Sequence, residues 1–167
     1  PSLPRPPPLP PPRKRQQSQR RTIPAECEKK RGGDSIYGFL AGALADDGLD
    51  ASWGEVLDAG AGTGQVGEHL AQLGFADVVG VDLSEPMLDV ARQKGCYRRL
   101  LCADLSDPHM LPPASMDAIV CVGTLTPNHV EDGATLRAWL GWLRPGGIFC
   151  ASIRDDFWSA GAIAGAC

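Results

Sequence analysis

The chain has 167 residues and 43% hydrophobic content, enough for one domain with a real core. No run approaches the roughly 20 apolar residues of a membrane helix, and the first residues lack the apolar centre of a signal peptide, so no membrane partner is expected. The net charge of -4 conceals a split: residues 1–33 carry nine of the 16 Lys and Arg, leaving an acidic body that disfavours nucleic acid as a substrate.

Residues 1–33 read as a disordered Pro/Arg-rich tail. Nine prolines fall within residues 1–24, and almost nothing there can be buried to offset ordering entropy. Arg5-x-x-Pro8-x-x-Pro11 and Pro8-x-x-Pro11-x-Arg13 fit the loose pattern of an SH3 ligand, and Arg13-Lys14-Arg15 that of a nuclear signal. A solvated tail with neither role is the commoner source of such matches. Because the chain starts at Pro1 and not Met, the expectation is either further residues upstream or an artificial start.

Order is expected from Asp34, so that 34–167 form a partial domain. Ile36, Phe39, Leu40, Ala43 and Leu44 have helical spacing across 35–46, and Gly48 follows as a stop. From Glu55 the pattern alternates. It predicts a strand over 55–59, then a helix over 65–73 with Val66, Leu70 and Leu73 inward. A strand over 78–81 follows, then a helix from an N-cap at Ser84 to Lys94, ended by Gly95. Strands over 100–103 and 118–122 precede a helix over 131–143, with Leu136, Leu140 and Leu143 inward, and a last strand over 148–153. Such alternation predicts a parallel sheet covered on both faces, with functional loops at the carboxyl ends of its strands.

The six cysteines (Cys27, Cys96, Cys102, Cys121, Cys150 and Cys167) are scattered and form no C-x-x-C. Neither a disulfide framework nor a metal site is expected, and reduced, buried thiols fit a cytoplasmic protein, with the nucleus as an alternative.

Chemistry concentrates in Val56-Leu57-Asp58-Ala59-Gly60-Ala61-Gly62-Thr63-Gly64, a strand ending in an acid, then three alternate glycines, then a helix. Glycines there let the backbone turn sharply and approach a ligand closely. Gly62-x-Gly64-x-x-Gly67 has the spacing of a dinucleotide fingerprint, but Asp58 and Gly60 then occupy its strand positions, so an NAD-linked reading is disfavoured.

The D-x-G-x-G-x-G form resembles the class I S-adenosylmethionine-dependent methyltransferases. The likeness continues through Val79-Gly80-Val81-Asp82-Leu83-Ser84-Glu85-Pro86-Met87-Leu88 at the second strand and Cys102-Ala103-Asp104-Leu105 at the third. It extends to Met116-Asp117-Ala118-Ile119-Val120 at the fourth and Leu143-Arg144-Pro145-Gly146-Gly147 before the fifth. Gly123-Thr124-Leu125, His129-Val130 and Cys96-Tyr97 are similar to the Williams–Beuren region methyltransferase-like group.

The resemblance implies an α/β fold, a Rossmann-like doubly wound sheet, truncated after the fifth strand because only 14 residues follow Ile153. It implies S-adenosyl-L-methionine as cofactor, contacted by Asp58, Gly60, Gly62, Gly64, Asp82, Leu83, Met87, Asp104, Leu105 and Val122. Asp82 is then the acceptor for both ribose hydroxyls, Leu83 and Met87 lie against the adenine face, and Asp104 takes the adenine amino group. Each acid has a second reading: Asp82 could cap the following helix, Asp58 could hold the glycine loop through backbone N–H groups, and Asp107 lies close to Asp104. His129 is the candidate substrate contact or base. The activity implied is methyl transfer to a small-molecule or protein acceptor. The rival is a truncated, non-catalytic chain that binds cofactor only or acts as an interaction module through its tail.

Overall fold

Parallel strands covered on both faces need nearly continuous apolar runs, and the central strands here have them, with Asp58 the buried exception in the first. The computed structural model describes residues 36, 37, 43, 54–126 and 133–153. Five strands, Val56–Ala59 (β1), Val78–Asp82 (β2), Arg99–Cys102 (β3), Met116–Leu125 (β4) and Leu143–Ile153 (β5), form a parallel sheet in the order β3-β2-β1-β4-β5. Helices Gln65–Gln72 (α1), Glu85–Lys94 (α2) and Gly133–Trp142 (α3) connect them.

Successive side chains on a strand point to opposite faces, and two cores result. Leu57, Ala59, Val79, Val81, Ile119 and Cys121 pack with Leu136, Trp139 and Trp142 of α3. Val56, Val78, Ala118 and Val120 pack with Val66 and Leu70 of α1 and with Phe75. The sheet is therefore doubly wound, as expected. Strand order reverses beside β1, between β2 and β4, and such a switch point opens a crevice at the carboxyl ends of the strands.

Several boundaries differ from expectation. β4 runs to Leu125 through a register shift after Cys121, and β5 begins at Leu143, so the Leu143–Gly147 turn belongs to the strand. The inner face of α3 is Thr135, Leu136, Trp139 and Trp142; Leu136 is inward as expected and Leu143 packs on the core from β5, but the two tryptophans take the place expected for Leu140. Tryptophan buries more area than leucine, and each indole N–H finds a carbonyl: Trp139 donates to Leu105 (2.8 Å) and Trp142 to Pro108 (3.2 Å). Leu73, at the C-cap of α1, is 38% exposed and not inward. Ile36, Tyr37 and Ala43 are helical; the rest of 35–46 and the tail, with its SH3-like and nuclear-signal patterns, lie outside the described residues.

The amino end of the sheet is closed by charge pairs. Asp117 accepts the Glu55 N–H (2.8 Å) and pairs with Arg144, while Arg98 joins Glu55 to Asp77 and Arg99 reaches Glu55 at 3.2 Å.

Candidate functional site

Beyond Ala59 the chain must turn back over the end of β1 without obstructing the crevice. Gly60 (φ 84) and Gly62 (φ 52) adopt the left-handed conformation that side chains disfavour. The N–H groups of Gly60 and Ala61 both donate to the Val81 carbonyl at 2.9 Å, tying the loop to β2. A Cβ on Gly60 would sit 1.8 Å from Thr124 Oγ1, whereas one on Gly62 would meet nothing nearer than Met87 Sδ at 3.9 Å. The loop is thus pinned on the β4 side and open on the other.

Asp82 stands opposite that loop at the end of β2. Its Oδ2 accepts the Gly62 N–H and its Oδ1 the Ser84 N–H, both at 2.8 Å. An ionised carboxylate offers about four lone-pair sites, so two backbone donors fix its orientation and leave acceptor capacity facing outward. Ser84 does sit at the N-cap of α2, but its side chain makes no capping bond.

A cavity of about 680 Å³ opens here. Gly60, Gly62, Asp82, Leu83, Met87, Asp104, Leu105 and Val122 all line it. Leu83 is 73% exposed and Met87 48%, an unusual placement for large apolar groups and one suited to covering a flat ligand. Asp104 Oδ1 accepts the Ser106 N–H (2.8 Å), and that bond holds its carboxyl below the ordinary carboxylate value. Leu105 is buried, with its carbonyl held by Trp139.

Two of the residues singled out from sequence do not reach the cavity wall. Gly64 is the N-cap of α1 and faces Ala91 and Tyr97. Asp58 is fully buried beneath the loop, where its Oδ2 accepts the Tyr97 hydroxyl at 2.7 Å and its Oδ1 has no partner among the described residues. Burial is the main force raising its pKa to about 7; the Tyr97 bond opposes the rise and the charge of Asp82 adds to it. His129 lies outside the described residues.

The wall also includes Tyr37, Thr63, Gln65, Ala103, Gly123 and Thr124, which sequence reasoning had not assigned to the site. For Gly123 and Thr124 a signal was available, since they continue directly from Val122 at the carboxyl end of a strand. Thr124 also donates to the Ala59 carbonyl (3.2 Å), bracing the loop from β4. Among the described residues no cluster of three or more His, Cys, Asp or Glu is arranged to hold a metal. Of the described cysteines, none in a disulfide with another of them, Cys121 is buried, Cys96 and Cys150 are half-buried, and Cys102 is exposed, contrary to the expectation of buried thiols.

Residues 56–147 match the family described as a methyltransferase domain. Human methyltransferase-like protein 27 is 37% identical over 102 residues, covering 60% of this chain and 41% of that protein. The ubiquinone biosynthesis O-methyltransferase of Idiomarina loihiensis is 36% identical over 121 residues, covering 66% of this chain and 47% of its own. A solved TehB-like S-adenosylmethionine-dependent methyltransferase from Corynebacterium glutamicum superposes with a TM-score of 0.60 at 26% identity, over 80% of this chain and 74% of that one. The chain spans about half the length of the curated relatives it matches.

Proposed function

The chain belongs to the methyltransferase domain family, and from that premise we propose that it binds S-adenosyl-L-methionine in the cavity and transfers its methyl group to a small-molecule or protein acceptor. The observation that carries this reading is Asp82: a carboxylate oriented by two backbone N–H groups, across from an open glycine turn and beside exposed Leu83 and Met87.

The residues present fit the cofactor. Spare lone pairs on Asp82 suit a vicinal diol, since the two acceptor oxygens match two hydroxyl donors. Leu83 and Met87 supply exposed apolar surface for an adenine ring, and Asp104, kept ionised, can accept from an exocyclic amine. The Gly60–Gly64 turn leaves room for the remainder of the molecule, and Leu105 and Val122 close the inner wall. A cavity of about 680 Å³ lies within the range of small-molecule sites. Asp58 and Gly64 support the loop from below, a role the sequence had left open for Asp58.

When bound, the cofactor supplies a methyl group already activated on a sulfonium. The protein's part is then to hold donor and acceptor in line and to exclude water. Thr124, Gly123 and Tyr37 also line the cavity and are proposed to face the acceptor, and His129 is proposed as the substrate contact or base. The relative named for O-methylation in ubiquinone biosynthesis supports an oxygen nucleophile on a small molecule. The same reading assigns residues 34–167 to the catalytic domain and 1–33 to a tail outside it, and free thiols support a reducing, cytoplasmic setting.

Isothermal titration of the full chain with S-adenosylmethionine, S-adenosylhomocysteine and NAD tests the reading. Binding of the first two at micromolar strength, with none of NAD, is the expected result. Binding of NAD alone would overturn it.

A further inference from the structure

Three glycines on different parts of the fold face one side chain. A Cβ on Gly67 of α1 would lie 2.3 Å from the Tyr97 ring, one on Gly80 of β2 2.9 Å from it, and one on Gly64 at the head of α1 3.1 Å from it. Glycine is a poor choice inside a helix or strand, so Gly67 is explained by the ring it admits, and Gly80 by that ring together with Leu100, whose Cδ2 would lie 2.7 Å from the same Cβ. The dinucleotide-like spacing Gly62-x-Gly64-x-x-Gly67 acquires a physical reason: its last glycine makes room for a tyrosine, not for a pyrophosphate.

The Tyr97 hydroxyl donates to Asp58 Oδ2 (2.7 Å) and accepts the Gly67 N–H (3.1 Å). That N–H is one of the unpaired donors at the start of α1, and the N-cap residue Gly64 has no side chain with which to satisfy it. Tyr97 therefore caps the helix from elsewhere in the chain. Behind the hydroxyl, the Asp58 carboxyl, when ionised, places negative charge near the positive end of the helix.

Resting on the reading of the cavity as a cofactor site, we infer that Tyr97 is a positioning residue. Through Asp58 just before the Gly60–Gly64 loop and Gly67 just after it, Tyr97 fixes both ends of that loop and so sets cofactor affinity without lining the cavity. Among the described residues, the ionisable groups acting on Asp58 are Tyr97 itself and Asp82 from β2, while Asp58 in turn raises the pKa of the Cys96 thiol in the segment before β3 and of the Cys121 thiol of β4. Of these only the Tyr97 bond lowers the Asp58 pKa, so removing the hydroxyl moves the Asp58 titration upward.

Tyr97→Phe keeps the ring among the glycines and removes only the hydroxyl. Amide hydrogen exchange on the ligand-free full chain should show Gly67 exchanging about tenfold faster in the variant. Titration with S-adenosylhomocysteine should show affinity about tenfold lower. The protonation midpoint of Asp58, followed by its carboxyl carbon shift, should rise from about 7 in the parent. A merely space-filling ring moves none of the three. Unchanged exchange overturns the inference, and so does faster exchange with parent-like affinity, since the loop would then be held for some other purpose. A parent chain that binds no S-adenosylhomocysteine while Gly67 exchange responds to the variant sinks the cofactor reading, and this inference with it, by a separate readout.

Discussion

At the amino end of the sheet, Glu55, Asp77 and Asp117 each face an arginine: Arg98 and Arg99 serve Glu55, Arg98 also reaches Asp77, and Arg144 meets Asp117. At the carboxyl end, Asp58, Asp82 and Asp104 take only neutral donors among the described residues, a tyrosine hydroxyl or backbone N–H groups. One end has its charges neutralised within the fold. The other keeps acceptor capacity that the fold itself does not use, and there the cavity opens. The strands join these two ends, so the comparison predicts that substitutions at one end act on stability and at the other on binding, with Asp58 acting on both.

Asp58 carries the largest expected effect. Its folded pKa, about 7, stands above the ordinary 3.8. Between those values the folded chain holds the proton that the unfolded chain has lost, so its contribution to stability is present at about pH 4 and is lost as pH rises through about 7. A rise of about three units corresponds to roughly 4 kcal/mol as an upper bound. Urea unfolding at about pH 4 and pH 8 should therefore show a stability loss in the parent that Asp58→Asn abolishes, the difference between the two slopes reaching roughly 3–4 kcal/mol. Equal slopes would mean that Asp58 is solvated and that the buried acid is not a burden on the fold.

Next in size is Gly60→Ala. The residue must hold φ near 84 with its Cβ 1.8 Å from Thr124 Oγ1, so strain and overpacking add. Destabilisation of about 3 kcal/mol is expected in urea, together with loss of S-adenosylhomocysteine binding because the loop moves toward the cavity. A variant of parental stability would show that the loop is soft where the comparison of the two ends needs it rigid.

The strand and helix alternation was legible because the central parallel strands are rich in apolar residues, as in Val78–Val81 and, apart from Asp58, Val56–Ala59, and because glycines mark the turns. Asp82, Leu83, Met87 and Asp104 line the cavity, and they were legible through the family resemblance, whose motifs put them at the carboxyl ends of strands or at the helix start that follows. What escaped was long-range. Nothing near Asp58 in sequence shows that its partner is Tyr97, 39 residues away. The burial of Trp139 and Trp142 in place of Leu140 depends on carbonyls at Leu105 and Pro108, 34 residues earlier in each case. The extension of β4 to Leu125 rests on pairing with Ile153 across a register shift, which no local pattern encodes.

Asp82→Ala sharpens the comparison from the binding side. Each charge-assisted hydrogen bond removed from the ligand should cost about 1.5–3 kcal/mol, at least tenfold in S-adenosylhomocysteine affinity. Stability should change less, because the Gly62 and Ser84 N–H groups are at the cavity edge and can turn to water. Unchanged affinity would place the ribose contact elsewhere.

Arg144→Ala is the matching change at the other end, and the smallest. Asp117 keeps 13% of its side chain exposed and Arg144 35%, so the pair lies between a surface bridge and a buried one. Asp117 also keeps the Glu55 N–H after the arginine is gone, which spares it the full cost of an unpaired buried charge. Solvent screening on the arginine side brings the expected loss to about 1 kcal/mol in urea. S-adenosylhomocysteine affinity should not move, since Asp117 stands at the start of β4 and the cavity wall at Val122–Thr124 stands near its end. An affinity loss as large as that of Asp82→Ala would mean that strain at the amino end travels along β4 to the site, and the division of labour between the two ends would have to be given up.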